Sequence, residues 1–254
     1  MRTIPIDLPS RGFLGTPSEV EMREMNLNER KSLMDRPPFT KMVSMVGDLI
    51  TSPASFAVKE LSLSDYLYLM VKMRTLSMGS NYIYPVTCSS CGRSIMVETE
   101  LDELEILEAS PDSGPTFTVD INADDDDEEP CNYEISYLTV EDQITINKRL
   151  RRKKASRKKF KDSDEYLFTL AYRIKAINDL EIKEPERITD ELGNLESHKV
   201  DILEDAIASH DFGLRLVEFV ESPKCGFSGD YPVQITPEFF FRRRELGKYH
   251  RLHQ

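Results

Sequence analysis

Residues 84–101 read YPVTCSSCGRSIMVETEL: an alternating strand, the turn Cys88-Ser89-Ser90-Cys91-Gly92, and a second alternating strand. Two residues between cysteines let the backbone amides of the turn point at both sulfurs, and a glycine after the second one accommodates a positive φ. This is the frame of a zinc knuckle. A second frame of the same kind lies far downstream, in LRLVEFVESPKCGFSGDYPVQITPEFFF at 214–241, where Ser222-Pro223-Lys224-Cys225-Gly226 separates two more alternating segments. Its first cysteine position is Ser222. Two hairpins clasped by two knuckles make a zinc ribbon, so the expected architecture is α+β, built around a discontinuous zinc-ribbon-like pair of β-hairpins.

The frames supply three thiols, Cys88, Cys91 and Cys225, whereas a closed structural zinc site takes four ligands. Cys131, or His250 or His253 in the C-terminal HRLH, is a candidate for the fourth. Two readings stay open: a structural zinc, or a metal-free remnant in which the thiols pack as small buried groups. A three-ligand zinc can also activate water, but no H-E-x-x-H or equivalent base accompanies it. Catalysis is therefore not expected, and neither is a small-molecule substrate.

Working outward, one short design occurs three times: an alternating segment, a capping box, then a helical pattern. The copies are VEMREMNLNERKSL from Val20, FAVKELSLSDYLYL from Phe56 and YEISYLTVEDQITI from Tyr133. In each, a small polar residue (Asn26, Ser62, Thr139) is followed three positions later by an acid (Glu29, Asp65, Asp142). The first side chain can then cap the N3 amide while the acid reaches back and meets the positive end of the helix dipole. Repeated strand-to-helix units around the hairpin pair complete the expected fold. The second copy continues as a helix with Leu67, Met70, Val71 and Met73 at core spacing, ended by Gly79. EYLFTLAYRIKAI from Glu165 and KVDILEDAIASHDFG from Lys199 read as amphipathic helices, the second closing at Gly213, with ERITDELGNLES as a capped connection between them.

The chain has 254 residues, a hydrophobic content of 39% and a formal net charge of −12. That hydrophobic content supports a core without disulfides, and four cysteines, two of them as C-x-x-C, suit reduced thiols or a metal. With no run of about 18 apolar residues and no signal-peptide pattern, a soluble, intracellular product without a membrane partner is expected. The net charge argues against nucleic acid at long range, yet KRLRRKKASRKKFK at 148–161 holds ten basic residues and follows DDDDEE at 124–129. Its bland reading is a solvated helix end. Its sharper one docks Arg149, Arg151, Arg152, Lys153, Lys154, Arg157, Lys158 and Lys159 on an acidic neighbour, including another copy's 124–129, or on nucleic acid. The tail FFFRRRELGKYHRLHQ repeats the theme: Phe239, Phe240 and Phe241 cannot all face one side of a strand, so at least one meets a partner or another element, with Arg242, Arg243 and Arg244 outside.

Taken in order, several features carry a family resemblance. They are IPIDLPSRGFLG at 4–15, the strand-to-helix repeat, LSDYLYLMVKMRTLSMGSNY leading into CSSCG, LDELEI at 101–106, YLTVED at 137–142, AIN at 176–178, and SPKCG followed by PEFFF. This order resembles the baseplate hub and tail-assembly proteins of T-even-type contractile-tailed bacteriophages, over nearly the whole chain. The resemblance implies a structural or assembly role in a phage tail baseplate, in the virion or in the host cytoplasm during assembly, with other tail proteins or further copies of the chain as partners. The family pattern would place a cysteine at Ser222, and the acidic and basic runs are individual to this chain. A zinc-ribbon nucleic-acid-binding module is the alternative. The expected regions are 1–80 (strands and helices), 81–100 with 212–241 (the hairpins), 101–211 (a middle α+β part with the acidic loop and basic helix) and 242–254 (a basic tail).

Overall fold

The computed structural model describes residues 2–54, 56–110, 113–123, 129–156, 162–235 and 237–240. It is mixed α+β, with thirteen strands: β1 (Thr3–Asp7), β2 (Glu19–Arg23), β3 (Ile50–Ser52), β4 (Asn81–Thr87), β5 (Ser94–Glu100), β6 (Ile106–Leu107), β7 (Thr116–Asp120), β8 (Asn132–Ser136), β9 (Ile174–Ile177), β10 (Leu180–Glu181), β11 (Gly213–Leu214), β12 (Val217–Glu221) and β13 (Ser228–Pro232). The helices are α1 (Leu27–Met34), α2 (Phe39–Leu49), α3 (Leu63–Met78), α4 (Val140–Ser156), α5 (Asp162–Arg173), α6 (Pro185–Leu192) and α7 (Ser197–Ser209). None among the described residues is long and apolar enough to cross a membrane.

The strands form small antiparallel sheets: β1-β2-β3, β10-β9-β8-β7, and the pairs β4-β5, β12-β13 and β6-β11. Two cores result. The larger gathers Val20 and Met22 of β2, Val43, Val46 and Leu49 of α2, Leu69, Val71 and Met73 of α3, and Tyr82, Tyr84 and Val86 of β4, with Val220 and Val233 from the far end of the chain. The smaller packs Val119, Tyr133, Ile135 and Ile174 of the four-stranded sheet against Leu170, Ile188, Leu192 and Leu203 of α5, α6 and α7.

Capping sets three helix starts. Asn26 and Glu29 form a complete box at α1, and Arg23 grips Glu29 with both guanidinium nitrogens at 3.0 and 2.7 Å. Thr139 and Asp142 form a complete box at α4, the Thr139 N–H donating to Asp142 at 2.9 Å and the Asp142 N–H to Thr139 Oγ1 at 3.1 Å. At α3 only half the box forms: Ser62 Oγ accepts from Asp65 N–H at 2.9 Å, while the buried Asp65 carboxylate turns away to accept the Ser10 N–H at 3.0 Å. Its pKa is raised by burial, against the pull of Ser10 and Ser62. The second and third starts lie side by side, the Leu63 N–H donating to the Leu138 carbonyl at 2.8 Å and Val140 N–H to the Leu61 carbonyl at 2.9 Å.

Four local readings change. The segment before Ser62 is a single 3-10 turn, Val58–Glu60, rather than a strand. The helix from Asp162 stops at Arg173 and the chain passes straight into β9, because Asn178 and Asp179, at φ 47 and 64, make the tight turn into β10. The connection ERITDELG is α6, started by Pro185 at its N-terminus and held by Ile188 and Leu192, one turn apart and both buried. Finally α7 ends at Ser209, before Gly213, which opens β11 at φ 115.

Candidate metal centre

The β4-β5 and β12-β13 hairpins end in turns with the same backbone. Cys88 N–H donates to the Arg93 carbonyl at 2.8 Å and Gly92 N–H to the Cys88 carbonyl at 2.9 Å; in the other turn Ser222 N–H donates to Phe227 at 2.8 Å and Gly226 N–H to Ser222 at 2.9 Å. Gly92 and Gly226 both sit at φ 68, the left-handed conformation that each turn requires of its fifth residue. Ser222 thus stands where Cys88 stands, and Cys225 where Cys91 stands.

The turns meet across 137 residues of sequence: Cys88 Sγ lies 3.7 Å from Cys225 Sγ, and Cys91 Sγ lies 3.9 Å from Ser222 Oγ. The three sulfurs all fall within 4.8 Å of one another, a cluster that could hold a metal ion. Packing beneath aligns the hairpins. Tyr82 and Tyr84 stack at 5.0 Å, Tyr82 Oη donates to the Gln234 carbonyl at 2.9 Å, and Ser89 N–H donates to Tyr231 Oη at 3.2 Å. Arg74 of α3, buried at 2% exposure, donates to the Phe239, Gly79 and Asn81 carbonyls and lies over the rings of Tyr82 and Phe239.

Electrostatics favour thiolate at the centre. The Cys91 N–H, helped by that of Ser90, pulls Cys88 down to about 6, against burial. Cys225 is lowered by the Ser222 hydroxyl and the Phe227 N–H. For Cys91 the Arg93 N–H pulls down, but desolvation and the Cys225 and Cys88 sulfurs push up, and the net direction is up.

Cys131 is elsewhere. It precedes β8 and packs against the smaller core, with its Sγ 3.9 Å from Asn178 Nδ2, and is not in the cluster of the other three cysteines. The two histidines of HRLH lie outside the described residues. What the sequence reading scored as a missing ligand, Ser222, is the residue that shares the cluster; the signal was its place three residues before Cys225. Arg74 carries no sequence motif: two of its carbonyl partners, Gly79 and Asn81, lie just beyond its own helix, and the third, Phe239, is brought to it only by the fold.

Among the cations of the basic run, Arg149 pairs with Glu186 and Lys154 with Glu165, and Lys153 lies 4.2 Å over the Phe168 ring. Arg151 and Arg152 are exposed on α4. Arg157, Lys158, Lys159, Arg242, Arg243 and Arg244 fall outside the described residues. Phe240, offered as a partner contact among phenylalanines expected to meet a partner or another element, meets the latter: it is 2% exposed and packs edge-on against Phe239, 5.1 Å away, which in turn meets Tyr82 at 4.9 Å. Burying both rings beside Tyr82 removes more apolar area from water than a surface position would allow.

No curated protein and no solved structure matches the chain. A family model described as T4 bacteriophage base plate protein matches residues 1–241, and the chain belongs to that family.

Proposed function

We propose that the protein is a non-enzymatic scaffold of the hub or wedge type, holding neighbouring tail proteins in register within the baseplate. Membership of the family supplies the structural role in the phage tail; the hub or wedge assignment is our reading. It is carried by exposed apolar residues on the two hairpins: Phe219 of β12 at 70% exposure, with Met96 of β5 and Phe227 also exposed. Phe219 and Val217 line one groove with Leu104, and Glu103, Glu105, Glu218, Asp230 and Arg215 line it too. An exposed aromatic residue with a charged rim is the usual form of a protein contact. Arg151 and Arg152 offer a second surface, suited to an acidic neighbour, which is another tail protein or a further copy of this chain. The three cysteines hold the hairpins together with a structural zinc ion, which supplies cross-linking and no reaction.

Infection with phage lacking the protein tests the role. Complete baseplates should fail to accumulate, and supplying the Phe219→Asp chain should leave that defect while Phe219→Tyr relieves it. Normal baseplates in the absence of the protein would overturn the proposal. A nucleic-acid-binding module would replace it if the protein retarded DNA at about 0.15 M salt and neutralising 148–161 abolished the effect, since non-specific binding rests on such cations.

A further inference from the structure

The structure assigns Ser222 as the fourth member of the metal site, giving a clasp of three sulfurs and one oxygen from Cys88, Cys91, Cys225 and Ser222. This rests on the three-cysteine metal reading and adds to it the donor that completes the set.

Two opposite edges of the cluster have the lengths a tetrahedral site asks for. Zinc bound by thiolate at about 2.3 Å gives sulfur–sulfur edges of about 3.8 Å, and with oxygen at about 2.0 Å a sulfur–oxygen edge of about 3.5 Å. Cys88 Sγ and Cys225 Sγ are 3.7 Å apart, and Cys91 Sγ and Ser222 Oγ 3.9 Å, a few tenths of an ångström that a small rotation about one side-chain bond removes. The three sulfurs all lie within 4.8 Å of one another, close enough for one ion to be held by all of them. Ser222 owes this place to its turn, whose hydrogen bonds reproduce those of Cys88.

Apolar packing does not account for the cluster. Cysteines that merely fill a core are buried, yet Cys91 and Cys225 are exposed, and exposed thiols gain nothing from converging. The two deeper corners are Cys88 and Ser222, each 1% exposed. The oxygen corner therefore faces the protein interior, beyond the reach of a substrate, whereas catalytic zinc keeps its open position toward the solvent. Serine also changes the charge: three thiolates on a divalent ion leave −1, where four would leave −2. The site takes up less charge than a four-cysteine site and holds its ion less tightly.

The test uses the full chain purified with zinc, its metal content, competition against a chromogenic chelator, and cobalt substitution read by absorption. Wild type should carry one zinc per chain, and Cys225→Ala should carry almost none. Ser222→Ala should lose at least about tenfold in zinc affinity, the loss that even outer-shell partners produce. Ser222→Cys should gain at least as much, and its cobalt form should show a sulfur-to-cobalt band about one third stronger than wild type, as four thiolates replace three. Zinc bound with unchanged affinity and an unchanged cobalt spectrum in both Ser222 variants would overturn the role of Ser222 while leaving the three-cysteine site standing. Absence of zinc from wild type would overturn both.

Discussion

Arg23 and Glu29 show how one residue serves two purposes. Glu29 closes the box at α1 by accepting the Asn26 N–H at 2.7 Å and also accepts both Arg23 nitrogens. The hydrogen bond from Arg23 is the main reason its carboxyl titrates below the ordinary range, with burial opposing and the Asn26 amide assisting. A carboxyl lowered on folding contributes stability above its unfolded pKa and loses it as pH falls through the folded value. Glu29→Gln should cost about 1 kcal/mol at pH 7, and the difference from wild type should shrink between about pH 5 and pH 3, measured by urea unfolding. Arg74 is the larger risk. Arg74→Leu leaves the Phe239, Gly79 and Asn81 carbonyls without their donor and should cost about 2–4 kcal/mol, read in the same way. Glu29 was legible as a spacing of three; Arg74 was not, because free carbonyls at a helix end carry no side-chain signal and its third partner, Phe239, lies 165 residues away.

Among elements, the starts of α3 and α4 are paired, and both lie against the larger core. Their caps sit in a two-residue bridge, Ser62 opposite Thr139, flanked by the reciprocal Leu63–Leu138 and Val140–Leu61 hydrogen bonds. Losing either cap through Ser62→Ala or Thr139→Ala should cost about 1 kcal/mol. Because the two contacts share one backbone exchange, the double variant should depart from the sum by at least about 0.5 kcal/mol, measurable by denaturant titration. All three caps and the boxes at α1 and α4 could be read from spacing, since a cap is a contact between residues three apart; that the Asp65 carboxylate is taken by Ser10, 55 residues away, could not. The elements in front of them could not: a five-residue alternating stretch becomes a strand only when a neighbour pairs with it. Glu19–Arg23 finds β1 and 132–136 finds β7 and β9, but Val58–Glu60 finds no strand and coils into a 3-10 turn. The same absence of a local signal hid β9, whose apolar residues continue the pattern of α5 and turn only at Asn178-Asp179.

In the whole molecule, the hairpins draw residues 81–100 and 217–232 into the larger core, while 116–120, 132–136 and 162–209 build most of the smaller one. Removing metal from a clasped site should therefore act unevenly. Hydrogen exchange after chelation should lose protection in β4, β5, β12 and β13 while β7 to β10 keep theirs, since binding energy stabilises the state that holds the ligand. Equal loss in both layers would mean that the clasp supports the entire fold. The sequence by itself determined the knuckle turns, the capping boxes and the amphipathic helices, because each depends on residues within about one turn of one another. Only the tertiary structure decided how closely the two expected turns approach, that Ser222 lies against Cys91 there while Cys131 packs beside the smaller core, and that Phe240 is buried. Those outcomes depend on closing a loop of more than a hundred residues between Cys91 and Ser222. Burial of the two cores offsets the entropy of that closure, and no local pattern records it.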